Sequence, residues 1–231
     1  MSTSQGRFAG FPAEGLRLLG GLERHNERSW FAAHKEIYER ALLEPMRAFV
    51  DDASAALQRA KIPIGGDHKR SIFRIYRDVR FSPDKRPYRT NMATYLSYDG
   101  GRTTPGGLYV EVGARASYLS IAFYLIERPM LQRWRRAMAE RPAAFARVLA
   151  ALRRAGLEIM GPAEWDDALS RMPRGFEASA ARELAPYFRL RSFCVHRDIA
   201  QRDVTSAALV ERSVAMAKDC RPLLDFGWSL D

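Results

Sequence analysis

Apolar residues recur along this chain in two rhythms, and the change from one to the other divides it into three parts. From Phe8 to Ala60 the spacing is helical. Phe11 and Pro12 precede a short helix through Leu22, with Pro12 in its first turn, Glu14 favourable to the positive end of the helix dipole, and Gly20-Gly21 read as its fraying end. Asn26 is read as the N-cap of the next helix, where Trp30, His34, Ile37 and Ala41 share one side with Phe31, Tyr38 and Leu42 beside them. Pro45 opens a third helix whose apolar stripe is Met46, Phe49, Val50, Ala53 and Leu57.

After a loop marked by Pro63, Gly65 and Gly66, the period falls to two. Phe73, Ile75, Val79 and Phe81 then lie on one face of a half-buried strand, with Arg74, Tyr76, Asp78 and Arg80 on the other. Arg77 lands on the apolar face. A guanidinium there requires a carboxylate, an edge position or a bulge, because burying it unpaired is very costly. Ser82 to Pro87, with a proline at each end of a charged run, predicts a rigid turn. Residues 91–98, 108–112 and 117–126 read as further strands joined by short turns, a pattern that favours an antiparallel meander.

From residue 129 the helical rhythm returns. Met130 to Ala139 and Pro142 to Ala155 predict a helical pair, decorated by Arg133, Arg135, Arg136, Arg141, Arg147, Arg153 and Arg154, which are read as a solvated surface. A short helical stretch is expected near Trp165 to Leu169 and an acidic helical segment after Phe176. Tyr187 to Arg191 reads as an edge strand, with Thr205 as the N-cap of a helix to Lys218 and a last apolar stretch from Pro222 to Trp228. The expected fold is therefore α+β, with a mainly antiparallel sheet of about five strands packed with helices from both ends of the chain. A single domain, 1–231, is expected, made of N-terminal helices 8–60, central strands 70–126 and a C-terminal helical part 129–231.

The densest chemistry lies at residues 74–91. Arg77, Arg80, Lys85 and Arg89, with the hydroxyls of Ser82 and Tyr88, have the types needed to hold a phosphate or carboxylate through forked, charge-assisted hydrogen bonds. Asp78 and Asp84 are the candidate general acid or base in an enzyme built on this site. They are equally suited to pairing with the arginines as an ion-pair clamp that binds nothing. Glu177 and Glu183 are further candidate partners for the arginines.

This run resembles the signature R-D-x-R-F-S-x-D-K-x-P-Y of the domain of unknown function 2461 family, which is mostly bacterial and has no established activity. The resemblance extends to an F-x-G-F start at Phe8, Gly10 and Phe11, to Asn26, Trp30, Phe31 and Tyr38, and to Pro173-Arg174-Gly175-Phe176. The chain departs from many relatives at Ser120 to Tyr124, where those carry a glycine-rich stretch with a tryptophan.

Composition narrows the classes. The 231 residues are 47% hydrophobic and 28% charged, as in a soluble globular protein, and 37 Lys and Arg against 27 Asp and Glu give a formal charge of +10. That charge admits a nucleic-acid-associated protein, although an arginine- and alanine-rich chain also arises from a GC-rich genome. Cys194 and Cys220 form no disulfide framework, and the four histidines show no metal-ligand spacing, so neither a metal nor a cofactor is expected. No glycine-rich phosphate loop occurs, and consecutive strands disfavour a dinucleotide fold. Without a signal peptide at Met1 to Gly10 or a membrane-length apolar run, the expected location is cytoplasmic. The first expectation is a protein, enzymatic or not, that binds a small anionic molecule at 74–91. The alternatives are nucleic-acid association through the arginine surface and a structural or interaction module.

Overall fold

The computed structural model describes residues 7–101, 103–161, 168–177 and 183–230. Helix α1 covers Ala13–Arg24, α2 Arg28–Ala33 and α3 Lys35–Tyr38, and a π-helical turn, Glu39–Leu43, carries α3 into α4, Glu44–Arg59. Strands β1 Asn91–Leu96, β2 Gly107–Gly113 and β3 Ser117–Phe123 follow. After α5 Arg128–Glu140, α6 Pro142–Arg154 and the single turn α7 Ala185–Phe188 comes β4, Phe193–Asp198. The chain then forms α8 Gln201–Val204, α9 Ala208–Asp219 and α10 Arg221–Trp228. No helix of the described residues is long and apolar enough to cross a membrane.

The fold is α+β, but among the described residues its antiparallel sheet has four strands in the order β1-β2-β3-β4, not about five. The missing strand is the run from Phe73 to Phe81. It touches β1 at a single bridge, Ile72 to Thr94, and folds onto its own exit at another, Tyr76 to Tyr88. Between these bridges lie four steps on one side and six on the other, a bulge that prevents a continuous ladder. Pro83 and Pro87 also lack the amide hydrogens a strand would need. The alternation fails with it: Ile75 is buried, whereas Phe81 is 93% exposed.

The described chain divides into two compact units. The first takes in the chain to Thr104, Leu108–Leu119 and Asp198–Ala215, and the second Pro105–Gly107, Ser120–Arg197 and the chain from Met216. In the first, the expected stripe of α4 is completely buried, and α4 packs on β1. Leu108, Val110 and Val112 of β2 turn their side chains to the same interior. Phe8 meets Phe11 and Phe49 edge to face at 5.5 and 5.3 Å. The chain start is fastened by Phe11 N–H to the Val204 carbonyl at 3.0 Å and Phe8 N–H to Asp52 Oδ2 at 2.8 Å. Between them Gly10 has φ +110° and lies so close to Thr205 that a Cβ would stand 2.2 Å from the Thr205 carbonyl carbon.

Two local expectations in this unit are corrected. Gly20-Gly21 does not end α1, which runs on to Arg24; Gly21 is small because Trp30 packs there, its ring 2.6 Å from where a Cβ would be. Trp30 is half-buried and stacks on His34 at 3.9 Å. Thr205 is not an N-cap, since its Oγ1 donates back to Gln201 O at the end of α8, and Ser206 Oγ accepts the Ala208 N–H at the head of α9.

The second unit is built around Trp134, which stacks on Phe193 at 4.0 Å and meets Phe123 edge to face at 5.1 Å. Cys194 and Cys220 are both buried, and burial pushes the Cys220 thiol up to about 12. Tyr187 to Arg191 is not an edge strand: Tyr187 and Phe188 belong to α7, and the strand is β4, bridged at Val195 to Ile159. Residues 162–167, with most of the expected stretch near Trp165, and 178–182, with most of the acidic segment, lie outside the described residues. Of the seven arginines on α5, α6 and their junction, six are exposed as expected and Arg135 is not. It is 4% exposed, donating from Nε to Phe188 O at 3.0 Å and from Nη2 to Leu190 O at 3.4 Å.

Candidate functional site

The motif enters and leaves its loop as a narrow pair of chain segments. Arg77 N–H donates to Pro87 O at 2.8 Å and Arg89 N–H to Ile75 O at 2.7 Å, with the Ile75 side chain buried beneath. The base is held from outside by Asn26. Its Oδ1 accepts the Tyr88 N–H at 2.9 Å, while its Nδ2 donates to Tyr88 O at 3.2 Å and to Leu22 O at 2.9 Å. Asn26 thus does not N-cap α2, which begins after Glu27 with no side-chain cap; it satisfies a carbonyl at the end of α1 instead. The same amide mimics a neighbouring strand for Tyr88.

Above this base two carboxylates organise the loop. Asp84 Oδ2 accepts from Arg77 Nη1 and from Arg86 Nη2, both at 2.8 Å, and its Oδ1 accepts the Arg86 N–H at 3.0 Å. Arg77 also reaches Arg86 O at 3.0 Å. The misfit of Arg77 in the strand pattern therefore has the expected cause, a guanidinium turned inward onto a carboxylate and a carbonyl. Asp78 forms a separate fork with Arg80, Nε to Oδ1 at 2.9 Å and Nη2 to Oδ2 at 2.7 Å. Lys85 Nζ donates to Val79 O at 3.1 Å and Arg80 O at 3.4 Å, closing the loop on its own backbone.

The predicted residues thus separate. Arg77 is gathered on Asp84, Arg80 is turned to Asp78, and Lys85 is spent on carbonyls. Arg89 is exposed at the hairpin base, and neither its guanidinium nor the half-exposed Ser82 hydroxyl has a partner among the described residues. Tyr88 is buried with its ring stacked on Phe31 at 4.3 Å. Glu177 accepts the Gly175 N–H at 2.8 Å, a local bond of its own loop.

Sequence reasoning missed an aromatic group beside the motif. Phe31 is ringed by Tyr38, Tyr76 and Tyr88 at 5.4, 6.0 and 4.3 Å. The three phenol hydroxyls have no hydrogen-bond partner among the described residues. Burial first, then Tyr76, pushes the Tyr38 phenol up to about 12, and the same two causes raise Tyr88, with Arg28 opposing them. Tyr38 and Tyr88 therefore remain protonated donors at neutral pH. The available signal was that Phe31 and Tyr38 sit seven residues apart, on one helical face.

The family model of the conserved hypothetical protein DUF2461 matches residues 14–226, nearly the whole chain. The chain belongs to this family. No curated protein and no solved structure matches it.

In this DUF2461 member the electrostatics say what the aspartates can do. Arg86 first, with Arg77 behind it, holds the Asp84 carboxyl well below the usual carboxylate range, and Arg80 lowers Asp78. At neutral pH both carboxyls are ionised, so each holds a fixed negative charge against its arginines. Folded-state values below the unfolded ones mean that the stabilisation is complete above the ordinary carboxylate value of about 4 and is lost as pH falls toward the depressed values. The urea midpoint is expected to fall between about pH 5 and pH 3, and to fall less in Asp84→Asn. Equal slopes in the two proteins would show that the Asp84 network contributes nothing.

Proposed function

We propose that this protein binds a small molecule bearing a phosphate or carboxylate at the 74–91 motif, with Asp78 and Asp84 as the framework of the site. The observation that carries the reading is the imbalance of charge. Within the motif six cationic residues, Arg74, Arg77, Arg80, Lys85, Arg86 and Arg89, are set against two carboxylates, Asp78 and Asp84, and Asp84 is shared by two arginines. Exposed pairs such as Arg80 with Asp78 hold little free energy against an incoming anion, because water and salt already screen them. The Arg89 guanidinium and the phenol donors of Tyr76 and Tyr88 lie on the same hairpin, a donor set that suits an oxyanion.

The test is a thermal-shift screen of phosphate, sulfate and anionic metabolites at constant ionic strength. At one hundred times the dissociation constant a true ligand stabilises by about 2.7 kcal/mol. Arg89→Gln and Tyr88→Phe are expected to abolish the shift, and Arg80→Gln to reduce it. A flat screen, or shifts that survive Arg89→Gln and Arg80→Gln together, removes the ligand and leaves the motif as a clamp. Binding of DNA or RNA that weakens steeply with salt would favour the nucleic-acid alternative instead.

A further inference from the structure

On the sheet face opposite the first unit's core, one carboxylate is held by two phenol hydroxyls. Strand β2 alternates buried Leu108, Val110 and Val112 with half-buried Tyr109 and Glu111. Glu111 lies opposite Ala93 of β1, and Phe73 N–H donates to the Ala93 carbonyl at 2.9 Å. Phe73 and Glu111 thus flank a small residue, and the Phe73 ring meets Tyr109 edge to face at 5.9 Å. From β3 the Tyr118 ring stands 5.7 Å from that of Tyr109, tilted by 39°. Both phenols donate to the same oxygen of Glu111, Tyr109 at 2.6 Å and Tyr118 at 3.2 Å to Oε2.

Two features define this group. Glu111 Oε1 has no partner among the described residues. In a chain with 37 Lys and Arg, no cationic side chain among the described residues pairs with Glu111, although both motif carboxylates do so. Both phenol hydroxyls donate to the carboxylate, and the rings of Tyr109, Tyr118 and Phe73, whose faces carry negative quadrupoles, stand near it. Burial, then Glu111, raises the Tyr109 phenol well above its usual range, so its hydroxyl stays a donor. A hard metal ion is a poor match, since it needs several oxygen ligands and one carboxylate oxygen is free. An anion is repelled.

We propose that Glu111, Tyr109 and Tyr118, with Phe73 behind Tyr109, form a binding site for a small organic ammonium ion, its charge on Glu111 Oε1 and its methyl or methylene groups against the tyrosine rings. The chemistry is that of carboxylate-assisted cation–π recognition, which favours alkylated ammonium over alkali cations because only the former covers the ring faces. This site is separate from the anion reading of the 74–91 motif and stands without it.

The experiment titrates the parent protein with tetramethylammonium chloride against sodium chloride at matched ionic strength, following the ring resonances of Tyr109 and Tyr118 by NMR. Saturable shifts at both rings are expected with the ammonium salt and none with sodium. Glu111→Gln, which keeps shape and an acceptor for the phenols, is expected to weaken binding about tenfold or more. Tyr118→Phe keeps the ring and should bind nearly as the parent does, whereas Tyr118→Leu should lose several-fold. Melting curves of each variant identify any that do not fold, and Tyr118→Phe with the parent titration decides the matter if Glu111→Gln is one of them. The proposal is overturned if the parent shows no saturation beyond the sodium control. It is equally overturned if folded Glu111→Gln binds like the parent, or if Tyr118→Phe loses as much as Tyr118→Leu.

Discussion

Gly10→Ala is expected to cost about 4 kcal/mol, the sum of a non-glycine residue at positive φ and an overpacked contact. The contact is with backbone: the new Cβ would stand 2.2 Å from Thr205 C and 2.3 Å from Ser206 N, so no side chain can rotate away to relieve it. Relief requires the start of the chain to move off the turn after α8, which breaks the bond from Phe11 N–H to Val204 O. Gly20→Ala is the control, because its Cβ would meet only the Ala114 Cβ at 3.5 Å, within α1. That substitution should stabilise by about 0.5 to 1 kcal/mol through helix propensity. Urea denaturation measures both, and a Gly10→Ala midpoint equal to the parent's would refute the close approach.

Arg135→Ala should cost about 3 kcal/mol, since two carbonyls that now accept from a buried cation would be left without donors. Its neighbour gives the contrast: Arg136 is exposed, and Arg136→Gln should change stability by less than about 0.5 kcal/mol. Burial without a carboxylate lowers the Arg135 affinity for its proton, yet an arginine keeps its charge at any ordinary pH. What makes the burial tolerable is the position of the carbonyls, at the end of α7 where the helix dipole is negative. If Arg135→Ala and Arg136→Gln unfold at the same urea concentration, the buried guanidinium is not holding α7 to α5.

That pair of arginines shows where sequence reading ends. The stripe of α4, the pairing of β1 with β2 and the limits of α5 and α6 follow from periodicity, because each depends on which face meets the core. Arg135 adjoins Trp134 on the boundary of that face, and only the distant carbonyls of Phe188 and Leu190 draw it inward. Charge at 74–91 was legible as chemistry, and Arg77 was legible as a misfit that needed a partner. Phe81 was read in the same alternation and misplaced, because the bulge and Pro87 end the strand geometry before the pattern of letters ends. Asn26 was assigned to the helix beside it, since a one-dimensional reading offers its amide only local groups. Tyr76 and Tyr88 beside Phe31 went unrecognised because they come from a segment that sequence order keeps apart from it.

The Asn26 amide also bears on the order in which this protein assembles. Its bond to Leu22 O spans four residues and can form as soon as α1 does, whereas its two bonds to Tyr88 close a separation of 62 residues. Loop-closure entropy makes the second event the later one, and synthesis from the N-terminus adds to the delay. The receiving amide is therefore oriented before the motif that it receives exists as a hairpin. Weakening it should chiefly hasten unfolding and leave the folding rate nearly unchanged, the signature of a contact made after the transition state.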